Sequence, residues 1–321
     1  MKISILLCTY NGEKYILEQL ESIKRQTLLP SEIKIYDDCS SDDTVAIIGE
    51  YSKNNSWTSW EINVNEHNKG WRLNFYDAIN ACDGDIIFFC DQDDIWFENK
   101  IEVMVDTMAK NSNILTLSGL QFLIDAEGKN TKHEHVLACG DNYNYSLKKS
   151  PLLKNIQGIS WQNRVGCAMA IKKELKEQLE YFERDNAFAH DLWAVNLAAL
   201  LDGCYYINFP AIKYRLHGDN ASVNNKEIAN ASKLPIRQRK LNALQEHSSY
   251  LLYLQKGIES INSDKVYKKE LKNLCIAVRL FQKREITLEK RSILHWLTLA
   301  KYIGIIGLRQ YIGDLLDVLG R

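Results

Sequence analysis

The stretch Ile86-Ile87-Phe88-Phe89-Cys90-Asp91-Gln92-Asp93-Asp94 is the most informative part of this 321-residue chain. Five apolar residues in a row predict a buried strand, and three carboxylates within four positions follow it directly. Such carboxylates repel one another unless a cation lies between them. Divalent cations such as Mg²⁺ prefer oxygen ligands and complete their coordination with water and substrate phosphates. The stretch therefore predicts a strand that ends in a cation site, with a solvated acidic turn before the next helix as the alternative.

Strands and helices alternate on both sides of this stretch. Apolar runs predict strands at 3–9, 32–36, 61–64, 85–90, 114–124, 167–171 and 205–214. Periodic or capped segments predict helices at 13–26, 40–51, 71–81, 99–110 and 188–201. This alternation is typical of an α/β fold whose mostly parallel sheet carries helices on both faces. Ligands bind such sheets where the strands end, which directs attention to the loops at 9–12, 37–41 and 91–96.

Composition excludes several classes of protein. Hydrophobic residues make up 45% of the chain and charged residues 25%, which is the balance of a globular protein. The eight cysteines include no C-x-x-C pair, so we expect reduced thiols in a cytoplasmic protein. The apolar run at 3–8 is too short for a signal peptide, and no run is long enough to span a membrane. We therefore expect a soluble protein, or one that lies on a membrane surface.

Charge is distributed unevenly along the chain. Residues 225–321 hold 18 of the 40 basic side chains but only 9 of the 41 acidic ones. The pattern also changes there to long, lysine-rich sequence with helical periodicity. These changes predict two domains, an α/β domain at 1–223 and a basic helical region at 224–321.

Three further sets of side chains have the chemistry of a binding or catalytic site. Asp37 and Asp38 follow a predicted strand, where a carboxylate accepts hydrogen bonds from a base or a ribose. Asp191 lies at a predicted helix start and is a candidate general base, although an acidic residue there also suits the helix dipole. Arg215 and His217 follow the last predicted strand and offer a cation and an imidazole to a phosphate or a metal.

The order of these motifs resembles that of family 2 glycosyltransferases of the GT-A fold, over residues 2–223. The shared motifs are Thr9-Tyr10-Asn11-Gly12, Asp37-Asp38-x-Ser40-x-Asp42-x-Thr44, Asn68-x-Gly70 with Asn74, and Asp91-x-Asp93-Asp94. The segments at 91–96 with Lys100, 166–169, 190–193 and 214–217 resemble rhamnosyltransferase-like enzymes of bacterial surface-polysaccharide assembly. The chain departs from the usual family pattern at Cys39, where glycine is frequent, and at His190, where glutamate is usual.

The resemblance implies a nucleoside-diphosphate sugar donor, a divalent cation (Mg²⁺ or Mn²⁺) and transfer with inversion. The residues that it implies for donor binding are Thr9, Tyr10, Asn11, Asp37, Asp38, Asn68, Gly70, Asn74, Asp91, Gln92 and Arg215. The implied metal ligands are Asp91, Asp93 and His217, and the implied catalytic base is Asp191. The implied sugar and acceptor pocket comprises Asp94, Trp96, Gly166, Cys167, His190 and Trp193. We expect the donor to be dTDP-rhamnose or a UDP-hexose.

The acceptor implied by the resemblance is a saccharide, commonly a polyprenyl-linked one, in the synthesis of a bacterial surface polysaccharide. We expect a cytoplasmic enzyme, peripheral on the inner face of the cell membrane if the basic region at 224–321 binds anionic lipid. A helical cap on the catalytic domain is the alternative for that region. Two other functions stay open, a sugar-phosphate nucleotidyltransferase and a non-catalytic nucleotide- or carbohydrate-binding protein. No nucleic-acid-binding signature is present.

Overall fold

A computed structural model describes residues 1–55, 59–131, 145–150, 165–178, 182, 189–218, 220, 234–261, 268–302 and 308–319. These residues divide into two compact units, a first unit up to His217 and a second unit from Gly218 onward. The domain boundary predicted at 223/224 lies outside the described residues, and so does part of the helix predicted at 188–201.

The first unit is built around one sheet. Its described strands are β1 (Ile3–Thr9), β2 (Glu32–Asp37), β3 (Trp60–Val64), β4 (Ile86–Cys90), β5 (Ile95–Trp96), β6 (Thr116–Ile124), β7 (Leu147–Lys149), β8 (Met169–Lys172) and β9 (Cys204–Arg215). Its described helices are α1 (Ile16–Lys24), α2 (Thr44–Asn54), α3 (Trp71–Ala81), α4 (Lys100–Lys110), α5 (Lys173–Lys176) and α6 (His190–Leu200). A 3-10 turn at Gly166–Ala168 precedes β8.

The strand order in this sheet is β3-β2-β1-β4-β8-β6-β9-β5, with β7 also beside β9. Strands β3, β2, β1 and β4 are parallel to one another. Strand β8 is antiparallel to both of its neighbours, β6 and β9 are parallel, and β5 and β7 are antiparallel to β9. The predicted α/β fold is confirmed, and the sheet is parallel on its β3–β4 side and mixed beyond it.

The core explains why these segments form strands and helices. Every residue of β1 and of β4 is buried, so both faces of these strands are covered, as continuous apolar runs require. Helix α1 buries Ile16, Leu20 and Ile23, which share one helical face. Burial of such side chains stabilises the fold by about 1.5–3 kcal/mol each.

The parallel strands bring three loops to the same edge of the sheet. Thr9 at the end of β1 is paired in register with Asp37 at the end of β2, and Leu7 is paired with Cys90 at the end of β4. The loops that follow β1, β2 and β4 therefore lie side by side. They carry the polar residues on which the sequence focuses attention.

The second unit is helical in its described part, as the sequence predicts. Its helices are α7 (Ile236–Ser260), α8 (Lys268–Lys290), α9 (Ile293–Leu297) and α10 (Leu308–Leu319). A buried ion pair joins α8 to α10, with Arg284 Nε 2.8 Å from Asp314 Oδ2. Trp296 of α9 stacks on Tyr311 of α10 with ring centroids 4.4 Å apart. Among the described helices, none has the length and apolar character that crossing a bilayer demands.

Candidate active site

The loop after β4 concentrates negative charge in a buried place. The carboxylate of Asp94 is fully buried, and its Oδ1 accepts a hydrogen bond of 3.0 Å from the main-chain N–H of Arg215. Burial, followed by the charges of Asp93 and Asp91, raises the pKa of Asp94 well above its usual range. Burial and the charge of Asp93 raise the pKa of Asp91 to about 7. The carboxylates of this short loop are therefore close enough to oppose one another's ionisation.

A divalent cation fits the residues of this loop. His217 Nε2 lies 2.7 Å from Asp93 Oδ2, so an imidazole and a carboxylate present ligand atoms at the same point. Oxygen ligands suit Mg²⁺ and Mn²⁺, and imidazole is a common ligand of transition metals. Burial and the neighbouring carboxylate of Asp93 raise the pKa of Asp91, and a cation bound beside it would favour its ionised form. Asp91, Asp94 and the Cys167 thiol also group within 4.8 Å, but burial keeps that thiol protonated by raising its pKa.

Arg215 is buried and joins the acidic loop to helix α1. Its Nε donates to the main-chain oxygen of Asp93 (2.8 Å), and its Nη2 donates to Glu18 Oε2 of α1 (2.7 Å). Its Nη1 donates to the main-chain oxygen of Ala126 (3.2 Å), and only 1% of the residue is exposed. The sequence predicts that Arg215 binds the donor. The contacts instead favour a role in holding the acidic loop in place, because protein groups already engage the guanidinium.

Asp37 and Asp38 are buried and have protein partners as well. Asp37 accepts hydrogen bonds from Thr9 Oγ1 (2.7 Å) and from the main-chain N–H of Ser40 (2.8 Å), which joins the ends of β1 and β2. Asp38 Oδ2 accepts from the main-chain N–H of Gly70 at 2.8 Å. These carboxylates fix the loops that follow β1 and β2 at this edge of the sheet.

The loop before α3 is fixed by the same network. Asn74 Nδ2 donates to the main-chain oxygen of Tyr36 at 2.8 Å, and Asn74 Oδ1 accepts from Asn65 Nδ2 at 2.9 Å. Asn68 Oδ1 accepts from the main-chain N–H of Gly70 at 3.0 Å. Gly70 has φ +85°, a left-handed conformation that favours glycine. Asn68, Gly70 and Asn74, which the sequence predicts to bind the donor, thus lie beside the end of β2.

Gln92 joins the loop after β4 to the loop after β1. Its Oε1 accepts from the main-chain N–H of Tyr10 (2.8 Å), and its Nε2 donates to the main-chain oxygen of Tyr10 (2.9 Å). A Cβ atom at Gly12 would come within 2.3 Å of Gln92 Oε1, so a larger residue there would displace the Gln92 amide. Asn11, which lies between Tyr10 and Gly12 in the chain, has φ +47°. Its Oδ1 accepts a hydrogen bond of 2.8 Å from the main-chain N–H of Ser41. Tyr10 remains 47% exposed and is free to contact a ligand.

Helix α6 brings Asp191 to the same cluster from a hundred residues away. Asp191 lies in the first turn, where its Oδ1 accepts from the main-chain N–H of Leu192 at 2.7 Å. Its charge is among the causes that raise the pKa of Asp91, so the two carboxylates are close enough to interact. The candidate base therefore lies within electrostatic range of Asp91, one of the candidate metal ligands.

Aromatic residues surround the start of α6. The His190 ring stacks on Phe75 with centroids 3.8 Å apart and meets the edge of Phe89 at 4.8 Å. Burial lowers the pKa of His190 to about 4, so this imidazole is neutral near pH 7. Neither of its ring nitrogens has a hydrogen-bond partner among the described residues. Trp193 and Trp96 are also buried, and each has an indole N–H without a described partner.

Lys100 is a residue of this site to which the sequence assigns no role. Its side chain is fully buried, and its Nζ donates to the main-chain oxygen of Cys167 at 2.5 Å. The same atom lies 3.3 Å from the ring centroid of Trp96. Burial lowers the pKa of Lys100 to about 7. The burial of Lys100 could have been predicted from helical spacing, because Lys100 shares a face of α4 with the buried residues Met104 and Met108.

Two solved structures resemble the fold of this chain over nearly its whole length. Residues 1–349 of TarS from Staphylococcus aureus, solved with UDP-GlcNAc, match 99% of this chain and 81% of that one at TM-score 0.58 and 17% identity. The mannosyltransferase PcManGT of Pyrobaculum calidifontis, solved with GDP-Man and Mn²⁺, matches 99% and 86% at TM-score 0.52 and 16% identity. The sheet and its acidic loop therefore define a protein of the GT-A fold.

The chain belongs to glycosyl transferase family 2, whose model matches residues 4–180. The dTDP-rhamnosyl transferase RfbG of Shigella flexneri is 35% identical over 162 residues, which are 46% of this chain and 55% of that protein. An uncharacterized glycosyltransferase of Haemophilus influenzae is 28% identical over 241 residues, 72% of this chain and 71% of that protein. The chain thus matches about half of the length of the Shigella relative. The family that the motif order predicts is thereby confirmed.

Proposed function

We propose that this protein is an inverting, metal-dependent glycosyltransferase that moves a sugar from a nucleoside-diphosphate donor to a saccharide hydroxyl group. The observation that carries the proposal is that Asp191, from a distant part of the chain, lies close enough to Asp91 for their charges to interact, while His217 meets Asp93 in the same acidic loop. The carboxylates of Asp91 and Asp93 are suited to bind a cation beside the diphosphate, and the carboxylate of Asp191 is suited to accept a proton. A bound Mg²⁺ or Mn²⁺ would supply Lewis-acid stabilisation of the leaving diphosphate, which is worth several kcal/mol.

Asp191 is the proton acceptor in this proposal. Its carboxylate takes the proton of the acceptor hydroxyl while that oxygen forms a bond to the anomeric carbon. The bond from the anomeric carbon to the diphosphate oxygen breaks on the opposite face, so the configuration inverts. The Leu192 N–H, at 2.7 Å from Asp191 Oδ1, orients the carboxylate and leaves its other oxygen for the acceptor. Asp91, Asp93 and His217 would hold the cation, and Arg215 keeps the main chain of Asp93 in position.

The nucleoside occupies the loops at the ends of β1 and β2 in this proposal. Tyr10 offers its exposed ring, whereas Asp37 and Asp38 hold the loops that form the walls. Asp94, Trp96, Gly166, Cys167, His190 and Trp193, all buried, form the wall behind the transferred sugar and the acceptor in this proposal. The names of two relatives, a dTDP-rhamnosyl transferase and a UDP-Glc-dependent β-1,3-glucosyltransferase of Escherichia coli, favour dTDP-rhamnose or a UDP-hexose as donor.

A thermal-shift screen tests the donor. At a concentration one hundred times Kd, a ligand stabilises the folded protein by about 2.7 kcal/mol. For a domain of this size we expect a rise in Tm of roughly 5–10 °C with the true donor and Mn²⁺. The screen compares dTDP-rhamnose, UDP-glucose, UDP-galactose and GDP-mannose, each with Mn²⁺ and with EDTA. A shift of equal size with EDTA would contradict the metal-dependent part of the proposal.

The acceptor side of the proposal is a lipid-linked saccharide at an anionic membrane surface. Helices α9 and α10 expose large apolar side chains, and Leu294 has 76% and Leu297 52% of its surface in solvent. On α10, Ile312, Leu316 and Leu319 are exposed on one helical face. The exposed cations Lys290, Arg291 and Lys301 flank α9 in sequence. Apolar side chains bordered by cations match the chemistry of an anionic lipid surface.

Vesicle flotation tests this surface. We expect the protein to float with vesicles of phosphatidylglycerol and phosphatidylcholine in equal parts at low salt, and not with phosphatidylcholine alone. Leu294→Glu with Leu297→Glu should weaken binding roughly tenfold or more, because each leucine contributes about 1.5–3 kcal/mol when buried. Leu252→Glu is the matched control, since Leu252 is an exposed leucine of α7. Flotation of the double variant at the level of the unaltered protein would remove the membrane surface from the proposal.

A further inference from the structure

Two contacts connect the acidic loop to the helix that carries Asp191. The first is made by Lys100, whose buried Nζ donates to the main-chain oxygen of Cys167 at 2.5 Å. Lys100 is the first residue of α4 and lies six positions after Asp94, and Cys167 is the central residue of the 3-10 turn Gly166–Ala168. The ammonium group therefore fastens this turn to the chain segment that contains the acidic loop.

The second contact lies between this turn and α6. A Cβ atom at Gly166 would come within 2.5 Å of His190 Nε2 and 3.3 Å of Asp191 Cβ. Only a residue without a side chain allows this approach, although the φ angle of Gly166 is not in the left-handed region. The His190 ring cannot move away easily, because it is held against Phe75 and Phe89. The turn therefore forms the surface against which the first residues of α6 pack.

We propose that Lys100 and Gly166 are positioning residues that together set the place of Asp191 relative to the carboxylates of the acidic loop. Lys100 fixes the turn from one side, and Gly166 lets α6 pack closely on the other. Neither residue needs to touch the donor or the acceptor for this role. The inference rests on the proposed function, because it assigns Asp191 the role of base.

Lys100 also affects the charge of the cluster. Its ammonium group is close enough to Asp91 and Asp94 to interact with both, as the causes of its own pKa shift include these two carboxylates. It is a cation that belongs to the protein, and it lies over the face of Trp96, where cation–π attraction favours it. Its removal should therefore leave the attraction of the cluster for Mn²⁺ undiminished, while the turn at Gly166–Ala168 loses its tie.

Lys100→Met tests the first contact, because methionine fills a similar volume without donating a hydrogen bond. We expect kcat for transfer to fall roughly 10- to 100-fold, since a misplacement of about 1 Å costs up to about 10²-fold. The KM for the donor and the Kd for Mn²⁺, measured by titration without donor, should not rise. Lys176→Met is the matched control, because Lys176 also donates to main-chain oxygens, those of Asn80 and Cys82, but outside the acidic loop.

Gly166→Ala tests the second contact. We expect a similar loss of kcat with unchanged Mn²⁺ binding, and a higher ratio of donor hydrolysis to transfer, because water needs no positioned acceptor. Adding Gly166→Ala to His190→Ala should cost less than threefold, because the imidazole that the new methyl group meets is then absent. Gly49→Ala is the matched control, since no atom lies within 4 Å of the Cβ position there.

The outcomes separate this proposal from the proposed function. If the unaltered protein transfers no sugar, the proposed function fails first. If it transfers sugar and both variants keep kcat, or lose Mn²⁺ binding and thermal stability in parallel with kcat, the positioning role is wrong. Equal losses from Gly166→Ala in the presence and absence of His190 would also overturn it.

Discussion

Replacement of Asp191 by asparagine should reduce the rate of sugar transfer by about 10²–10⁴-fold, the usual contribution of a general base. Asparagine has nearly the same shape, and its side-chain oxygen still accepts the N–H of Leu192, which now lies 2.7 Å from Asp191 Oδ1. The start of α6 should therefore be preserved. What is lost is the ability to take a proton from the acceptor hydroxyl, so kcat should fall while the KM for the donor stays nearly constant.

Asp106→Asn provides the matched control, because Asp106 is an exposed carboxylate of α4 whose described partner is Lys110, one turn away. That variant should retain full activity. Initial rates of transfer, with the donor Kd measured in parallel, distinguish the two cases. A rate for Asp191→Asn above a few per cent of that of the unaltered protein would reject Asp191 as the base.

Replacement of Asp93 by asparagine should abolish tight binding of Mn²⁺ and reduce kcat/KM for transfer by roughly 10³-fold. Several kcal/mol of Lewis-acid stabilisation are lost, and each 1.36 kcal/mol corresponds to a factor of ten in rate. The neutral amide keeps the size of the side chain and can still hydrogen-bond to His217, whose Nε2 lies 2.7 Å from Asp93 Oδ2. The folded structure should persist, so the loss reports on the cation.

Asp43→Asn is the control for this experiment, because Asp43 belongs to the acidic segment after β2 but makes no side-chain cap bond to α2. It should bind Mn²⁺ and transfer sugar normally. Mn²⁺ titration and rates as a function of Mn²⁺ concentration provide the measurement. Full activity of the unaltered protein after removal of metal with EDTA would contradict the role given to Asp93.

The sequence predicts the fold well because hydrophobic patterning determines it. The apolar run before Asp91 becomes the fully buried strand β4, and the predicted helix at 71–81 coincides with α3. What the pattern does not reveal is the order of strands. Strand β8 inserts between β4 and β6 and runs antiparallel to both, although it comes much later in the chain. Short strands of this kind carry too little pattern to specify their neighbours.

The site was harder to predict in detail, because polar side chains find partners that are distant in sequence. The motifs identify Asp37 and Arg215, but not that Asp37 binds Thr9 or that Arg215 binds the main chain of Asp93. Such long-range hydrogen bonds decide whether a group is available to a ligand. Lys100 is another example, because a lysine in a helix is usually exposed. Here the side chain is buried and its Nζ lies over the face of Trp96.

The paired hydrogen bonds between Gln92 and the main chain of Tyr10 have a consequence for affinity. They join the loops after β1 and β4, and the absent side chain at Gly12 leaves room for the Gln92 amide. A preassembled rim of this kind loses little conformational entropy on association, so more of the contact energy remains as binding strength. Rigid loops of this kind favour a donor whose shape is complementary to them over a donor that requires them to change conformation.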